Sequence, residues 1–298
     1  MRALVTGGKG FVGRWLTSHL EDCGDEVVSI DHEVDVTDGD AVKAALEQAA
    51  PDAVYHLAAL AHVGRSWEDP GAVLRVNALG TLYVLEGARA CRPVPKVLVV
   101  SSAEVYGAVD DADIPTGETV PMAPVTPYAA SKVAAEYLAV QAHLAYGLPV
   151  VRARPFNHVG PGQGAGFVVP SLAERIVAAR RTGHETLGVG NLSARRDLTD
   201  VRDVVRAYRL LVEHGVEGEA YNVCSGQAVS IRDVAERMLH LAGMDLRLVT
   251  DPALVRPVDV PVVCGDPSKL KAATGWSPVV ELDRTLRDVL DQWEHTAP

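Results

Sequence analysis

The chain has 298 residues, 48% of them hydrophobic, so it is long enough to bury a sizeable core in one large domain or two smaller ones. Its formal net charge of −11 argues against sequence-independent binding to nucleic acid, which depends on phosphate neutralisation by Lys and Arg. The four cysteines lack metal-ligand or disulfide spacing, and we find neither a signal sequence nor a bilayer-spanning apolar run, so we expect a soluble, cytoplasmic protein without a metal site.

Short β-rich runs alternate with helical runs through the first half of the chain. The strand-like runs are 3–6, 26–31, 53–58, 96–101 and 150–153, and the helical runs are 11–23, 38–49, 72–90 and 128–146. Such alternation, with nearly continuous apolar strands, predicts a parallel sheet covered by helices on both faces. The predicted fold class is therefore α/β, a doubly wound parallel sheet, which we assign to residues 1–155.

The first predicted strand runs into the glycine-rich turn TGGKGFVG at residues 6–13. Glycines here permit a tight turn, let the backbone approach a pyrophosphate at the positive end of the next helix, and let that helix pack closely on the strand. The turn predicts a dinucleotide site, and its candidate cofactor-binding residues are Gly7, Gly10, Phe11, Val12 and Gly13.

Acidic residues after the second strand bear on which dinucleotide binds. Asp31 ends the segment EVVSID, where a carboxylate can accept hydrogen bonds from ribose hydroxyls and would repel a 2′-phosphate. Because no arginine lies nearby in the sequence, we expect NAD, with NADP as the alternative. Asp35, in EVDVTD at the next strand, is a candidate for the adenine amino group, while Thr37 and Asp38 are better placed to cap the following helix.

The third and fourth strands end in the polar segments HLAALAHVGRSWEDP and LVVSSAEVYG. Ligands bind outside the carboxyl ends of such strands, so Ser101, Ser102 and Glu104 should meet the glycine turn around one crevice. In TPYAASKVAAE, Tyr128 and Lys132 lie one helical turn apart on one face. The group suits hydride transfer: Tyr128 moves the proton, Lys132 lowers its pKa and holds the nicotinamide ribose, and Ser102 hydrogen-bonds the reacting oxygen.

Four motifs together resemble the extended short-chain dehydrogenase/reductases that act on nucleotide sugars. They are TGxxGxxG at 6–13, HLAA at 56–59, SSAEVYG at 101–107 and YxxxK at 128–132, and the resemblance runs nearly end to end. It implies a Rossmann fold, a catalytic triad of Ser102, Tyr128 and Lys132, and a homodimer formed by the helices around 72–90 and 128–146. It also implies further cofactor contacts from Val36, Leu57, Ala58, Ala59 and Asn77, with a structural role as the alternative for Asn77.

After residue 155 the sequence changes character, and we assign 156–298 mainly to a nucleotide-sugar-binding domain, with a return segment near 197–222 that packs on the first domain. The segment 154–170, RPFNHVGPGQGAGFVVP, is predicted to be a long functional loop. Arginines such as Arg195 can pair bidentately with phosphate, although each can equally serve as a solvated surface residue. The candidate substrate-binding residues are Ser102, Asn157, Phe167, Val168, Arg196 and Arg256, several of them implied by the resemblance.

Among these enzymes, several segments of the second half look closest to the GDP-4-keto-6-deoxy-D-mannose reductases, with GDP-mannose 4,6-dehydratases as near relatives. A dehydratase needs a base and an acid besides the tyrosine; Glu104 is a candidate base, but Ala103 cannot be the acid. We therefore expect reduction of the C4 ketone with Tyr128 as proton donor. The alternatives are dehydration or epimerisation with Glu104 as base, and a non-catalytic sensor of dinucleotide or nucleotide sugar.

Overall fold

The computed structural model describes residues 1–254 and 260–296. In this part of the chain the strands are β1 Arg2–Thr6, β2 Glu26–Ile30, β3 Ala53–His56, β4 Lys96–Val100, β5 Val150–Pro155, β6 Asn157–Val159, β7 Thr186–Val189, β8 Arg195–Asp200, β9 Ala220–Val223, β10 Ala228–Ser230, β11 Arg247–Thr250 and β12 Val262–Val263. The α-helices are α1 Phe11–Asp22, α2 Gly39–Ala49, α3 Pro70–Leu74, α4 Gly80–Ala90, α5 Pro127–Tyr146, α6 Val168–Thr182, α7 Val201–His214, α8 Ile231–Leu241, α9 Ser268–Thr274 and α10 Leu282–Thr296.

The central sheet is six-stranded and parallel throughout, in the order β2-β1-β3-β4-β5-β9. The chain moves from β1 to β2 on one side and then crosses to β3 on the other side of β1. This reversal between β1 and β3 opens a crevice at the carboxyl ends of the strands, which is where such sheets bind their ligands. The predicted doubly wound α/β fold is therefore confirmed, and β9 joins the sheet from the second half of the chain.

Two hydrophobic clusters cover the two faces of this sheet. Ala3 and Val5 of β1 belong to a cluster completed by α1 and α7, whereas Leu4 between them belongs to a cluster completed by α2, α4 and α5. Consecutive strand residues point to opposite faces, so a strand that is buried on both sides reads as continuously apolar. Ala3, Leu4 and Val5 are each 0% exposed, and this explains the apolar run.

The helix predicted at 72–90 begins earlier and is interrupted. Asp69 caps it by accepting a hydrogen bond from the Ala72 N–H at 2.8 Å, and Pro70 occupies the first turn, where its missing N–H costs nothing. A π-helical turn, Arg75–Leu79, then separates α3 from α4. Such turns are rare and frequently lie at functional sites, and this one contains Asn77.

The predicted long loop at 154–170 is largely structured, which corrects the sequence interpretation. β5 extends to Pro155, β6 pairs in parallel with β8, and α6 starts at Val168, so only 160–167 connects regular elements here. β8 also pairs with β10 and β12, and β7 pairs with β11. A third hydrophobic cluster, built from α6, α8, α10 and these strands, supports this part of the molecule. No helix within residues 1–254 or 260–296 has the length and apolar character needed to cross a bilayer.

Candidate active site

The turn after β1 is built so that only glycine fits at its key positions. Gly7 has φ +70°, and a Cβ there would lie 2.9 Å from the Ala58 N. A Cβ on Gly13 would lie 2.1 Å from the Gly7 carbonyl oxygen. The N-cap of α1 is Gly10, which brings no side chain to the first N–H groups of the helix. A bare backbone and a helix start without a side-chain cap fit the pyrophosphate of a dinucleotide.

The carboxylate of Asp31 braces this turn from the end of β2. Its Oδ2 accepts a hydrogen bond from the Lys9 N–H at 2.8 Å, and its Oδ1 accepts one from the His32 N–H at 3.0 Å. Oδ2 retains a second lone pair, so a ribose hydroxyl can still be accepted there. Lys9 also reaches Glu33, with Nζ 2.9 Å from Oε2. The sequence signal for this cation is a lysine inside the glycine turn itself, and not an arginine near Asp31.

The segment after Asp31 forms turns rather than the expected strand. The exposed Asp35 accepts hydrogen bonds from the N–H and hydroxyl of Thr37, both at 2.8 Å, and these bonds lower its pKa. The Val36 side chain packs in the core, close to Gly80. Asp38 caps α2, as the sequence indicated. The structure thus gives Asp35 a local role in the turn, and its contact with adenine stays a prediction.

Behind the turn, His56 links β1 to α4 through buried hydrogen bonds. Its Nδ1 lies 2.8 Å from Thr6 Oγ1, and its Nε2 lies 3.0 Å from Thr81 Oγ1. Thr81 donates its hydroxyl proton to the Asn77 carbonyl at 2.6 Å, so it must accept from the His56 Nε2–H. In a neutral ring with its proton on Nε2 the Nδ1 is unprotonated, so Thr6 donates its hydroxyl proton there while it accepts the Ala58 N–H at 3.1 Å. The direction of every bond in this chain is consequently determined.

This series of hydrogen bonds uses a neutral imidazole. Burial, assisted by the positive charge of Lys132, lowers the pKa of His56 to about 3, so the ring is neutral at physiological pH. Sequence reasoning noted the HLAA motif but gave His56 no role. The available signal was a histidine ending an apolar strand, which must find partners when it is buried.

The oxygen and both N–H groups of the Asn77 side-chain amide form hydrogen bonds within the protein. Its Oδ1 accepts the Leu60 N–H at 2.8 Å, and its Nδ2 donates to the Leu60 carbonyl at 3.2 Å and to Ser131 Oγ at 2.9 Å. Ser131 in turn donates to the Tyr128 carbonyl at 2.7 Å. Both amide donors are used, so the structure favours the structural alternative: Asn77 ties the loop after β3 to α5.

The structure brings Ser102, Glu104 and Tyr128 together, as the sequence predicted. α5 starts at Pro127, where the Thr126 hydroxyl accepts the Ala129 N–H at 3.0 Å. Tyr128 is thereby set in the first turn, close enough to Ser102 for that hydroxyl to act on the phenol. Burial raises the pKa of Tyr128 to about 12; the nearby Ser102 hydroxyl acts to lower it and the charge of Glu104 to raise it. The phenol is therefore protonated at neutral pH.

Lys132 lies one turn further along α5. Its Nζ donates to the Val100 carbonyl at the end of β4, at 2.9 Å, and its side chain is buried. Burial lowers the pKa of Lys132 to about 8. In this structure the pKa of Tyr128 is governed by burial, Ser102 and Glu104, so the expected effect of Lys132 on the phenol stays a prediction.

The short helical turn Ala103–Tyr106, which carries Glu104, is anchored by its last residue. The buried Tyr106 hydroxyl donates to Asn222 Oδ1 at 2.7 Å and accepts from Arg154 Nη1 at 2.9 Å. Asn222 belongs to β9 and Arg154 to β5. The position of Glu104 therefore depends on strands that are distant in sequence, and sequence reasoning did not identify this anchor.

The predicted substrate-binding residues lie on and around β6 and β8. Asn157 is exposed on β6 and pairs with Leu198 of β8. Arg196, also on β8, donates from Nη1 to the Arg195 carbonyl at 2.9 Å and to the Val260 carbonyl at 2.8 Å. Arg256 lies outside the described residues. Asn157 and Arg196 thus share one small sheet, and their contact with substrate is untested.

The connection 160–167 runs between α1, the helix that follows the glycine turn, and the loop after β3. The rings of Phe11 and His158 stack with centroids 6.1 Å apart. At the other end, Phe167 is 40% exposed and its ring centroid lies 6.1 Å from that of His62. Phe11 is therefore partly covered by protein, while Phe167 and the adjoining Val168 at the start of α6 stand beside the loop after β3.

Comparisons with known proteins find relatives over the length of the chain. A family model described as GDP-mannose 4,6 dehydratase matches residues 30–289. A GDP-6-deoxy-D-mannose reductase of Pseudomonas aeruginosa is 39% identical over 297 residues, covering 98% of this chain and 97% of the relative. The similarity thus extends over almost the whole of both chains.

Two solved structures are similar in sequence and in fold. The structure of RMD from Pseudomonas aeruginosa, complexed with NADPH, has a TM-score of 0.91 at 37% identity, with 99% of each chain covered. UDP-glucose 4-epimerase of Thermus thermophilus, in complex with NAD, has a TM-score of 0.87 at 33% identity, with 100% of each chain covered. These two relatives hold different nicotinamide dinucleotides in closely similar folds.

Proposed function

The chain belongs to the GDP-mannose 4,6-dehydratase family, a group of extended short-chain dehydrogenase/reductases, and from this premise we propose that it reduces the C4 ketone of GDP-4-keto-6-deoxy-D-mannose. The observation that carries the proposal is the buried Tyr128 phenol lying close to the buried Ser102 hydroxyl, with Ala103 as the next residue. Ketone reduction needs one proton donor, whereas dehydration needs a further acid, and the Ala103 methyl group cannot supply it.

The cofactor is an NAD(P)H, which when bound supplies the hydride that C4 receives. The glycine turn at 6–13 would hold its pyrophosphate, Asp31 its adenosine ribose and Lys132 its nicotinamide ribose. The fit rests on the turn itself, where Cβ atoms at Gly7 and Gly13 would collide with backbone. Leu57, Ala58 and Ala59 directly follow β3 beside this turn.

Tyr128 donates the proton that the C4 oxygen requires. With its pKa at about 12, the phenol carries that proton throughout the neutral range. The Ser102 hydroxyl orients the ketone oxygen, and the buried Lys132 ammonium offsets the negative charge left on the phenolate. Ser102 and Tyr128 therefore act on the C4 oxygen, and Lys132 acts on Tyr128, which is its proton donor.

The nucleotide end of the substrate is assigned to the second half of the chain. Arg196 supplies a guanidinium for the diphosphate and the exposed Asn157 an amide beside it, with Phe167 and Val168 at the rim. Arg256 belongs to the same assignment, though it lies outside the described residues. We also propose that residues 1–155 form a dinucleotide-binding domain and that residues 156–298 mainly form a nucleotide-sugar-binding domain.

We propose a homodimer through α5 and the helix formed by α3, the π turn and α4. Residues of α5 that share its outer face are Ala130, Ala134, Tyr137, Gln141 and Leu144. Tyr137 is 60% exposed, Leu144 77% and Leu74 of α3 46%. Apolar side chains left uncovered on two adjacent helices fit a four-helix contact between two copies of the chain.

A second candidate, dehydration of GDP-mannose, is favoured by one observation. Glu104 lies close enough to Tyr128 for its charge to raise the pKa of the phenol, so a carboxylate base is present near the reacting carbon. Glu104 would then remove the C5 proton after oxidation at C4. The missing acid at Ala103 is the argument against this reaction.

Product analysis separates these functions. Purified protein receives either GDP-4-keto-6-deoxymannose with NADH or NADPH, or GDP-mannose with NAD, while the absorbance of reduced nicotinamide is followed. We expect consumption of reduced cofactor with the keto sugar only. Formation of keto sugar from GDP-mannose without net change in cofactor would identify a dehydratase. Binding of both ligands without turnover of either sugar would identify a sensor.

A further inference from the structure

An exposed ion pair stands beside the carboxylate that ends β2. Lys9 Nζ lies 2.9 Å from Glu33 Oε2, and the two side chains are 68% and 46% exposed. The backbone N–H of the same lysine donates to Asp31 Oδ2 at 2.8 Å. In this fold the acidic residue after the second strand faces the adenosine ribose, so the ion pair flanks the ribose 2′ position.

The fixed charges here suit a hydroxyl better than a phosphate. Asp31 and Glu33 bring two negative charges and Lys9 brings one positive charge, while the nearby Arg14 guanidinium is engaged by the carbonyls of Lys9 and Gly162. His32 Nε2, 3.2 Å from Asp31 and fully exposed to solvent, adds charge only when protonated. A 2′-hydroxyl can donate to a carboxylate, whereas a phosphate monoester carries roughly two negative charges and is repelled by it.

The two carboxylates contribute in separable ways. Asp31 accepts backbone N–H groups from Lys9 and His32, so it holds the glycine turn in shape. Glu33 instead engages the Lys9 ammonium, and this hydrogen bond raises the pKa of Lys9 and lowers that of Glu33. Glu33 can therefore be neutralised while the brace at Asp31 is left intact.

We propose that Glu33 sets a preference for NADH over NADPH by holding Lys9 as its counterion, and that Lys9 binds the 2′-phosphate once Glu33 is neutral. The related RMD structure contains NADPH, so the fold itself accommodates the phosphate and side chains must make the choice. This inference deepens the proposed reductase and rests on it only for the presence of a nicotinamide cofactor.

The test measures cofactor binding without any sugar. Dissociation constants for NADH and NADPH are obtained from nicotinamide fluorescence for the full chain and for Glu33→Gln, Lys9→Met and the double variant. The full chain should bind NADH about ten-fold more tightly than NADPH. Glu33→Gln should tighten NADPH about five-fold and change NADH by less than about two-fold. The double variant should lose that gain because the ammonium is absent.

Glu47→Gln is the matched control, because Glu47 pairs with Lys43 on the exposed surface of α2, at 3.8 Å. It should alter neither dissociation constant. Tighter NADPH than NADH binding by the full chain, equal gains for both cofactors in Glu33→Gln, or an unchanged gain in the double variant would each overturn the proposal. Absence of sugar turnover alongside resolved binding constants would count against the reductase and leave this inference standing.

Discussion

Arg154 binds both carboxylate oxygens of Glu136 inside the protein. Its Nε lies 3.0 Å from Oε1 and 3.1 Å from Oε2, and its Nη2 lies 2.5 Å from Oε1. Arg152 adds a further bond to Oε1 at 2.9 Å. Glu136 is one helical turn beyond Lys132 on α5, and both arginines lie on β5. This cluster therefore fixes the position of α5 along β5, and with it the positions of Tyr128 and Lys132.

Glu136→Gln should destabilise the protein strongly. It leaves the buried Arg154 guanidinium and the partly buried Arg152 guanidinium without the carboxylate they share, and breaking a buried pair in this way costs about 3–5 kcal/mol. Unfolding in urea measures the loss. Glu86→Gln, which affects only an exposed pair with Arg89, serves as the control and should shift the midpoint very little. Equal midpoints for the two variants would show that the cluster does not hold α5.

Tyr128→Phe should abolish turnover while keeping the cofactor. Removing the proton donor lowers kcat by about 10²–10⁴-fold, because that is the usual size of a general-acid contribution. The dissociation constant for reduced nicotinamide should stay within about two-fold. Tyr146→Phe, at the exposed end of α5, is the control and should keep full activity. Retained turnover in Tyr128→Phe would remove the phenol from the mechanism.

Reductase activity should decline as pH rises through about 8. The proposed role of Lys132 needs its charged form, and its pKa is lowered to about 8, so the charged form predominates below that value and is lost as the pH rises above it. The pH profile of kcat/KM between pH 6 and 10 reports this ionisation in the free enzyme. Lys132→Met should be slow at every pH and lack the transition. A flat profile up to pH 10 would contradict the assignment.

Acid should destabilise the fold through His56. With a pKa of about 3 when folded and about 6.5 when unfolded, the unfolded state binds the extra proton between these values. The contribution is therefore fully present above pH 6.5 and is lost as pH falls towards 3. His56→Gln should be less stable at pH 7 and should show a shallower loss of stability in that window, measured by urea unfolding at several pH values. Identical pH dependence in both proteins would exclude His56 as the source.

Leu144→Glu should convert the proposed homodimer to monomers, since it places a charge in the apolar α5 face. Light scattering after size-exclusion chromatography measures the mass. Val279→Glu, at an exposed position outside α5, is the control and should leave the mass unchanged; Val279 is 69% exposed. A monomeric parent protein, or a dimer that survives Leu144→Glu, would disprove the proposed contact.

Much of the fold could be predicted from the sequence because its signals are local. Apolar runs such as the one around Leu4 mark strands that are buried on both faces, and the spacing of Gly7, Gly10 and Gly13 marks a turn that tolerates no side chains. Pro127 likewise indicated the start of α5, which puts Tyr128 and Lys132 on one face. These features depend on the backbone angles φ and ψ, and on the spacing of side chains along a strand or helix, within a few residues of sequence.

The remaining features depend on contacts between residues far apart in the chain. β6 forms because β8 supplies its hydrogen bonds from 41 residues further along the chain, as the pairing of Asn157 with Leu198 shows, and the local sequence therefore predicts a loop. The role of Asn77 was decided by partners on two other segments. Short-range stereochemistry encodes the parallel sheet, the dinucleotide turn and the tyrosine–lysine helix, so these features can be predicted from the sequence. The proton direction at His56, the anchoring of α5 and the pairing of Lys9 with Glu33 emerge only in the folded chain, because hydrogen bonds and charges are assigned by distance in space.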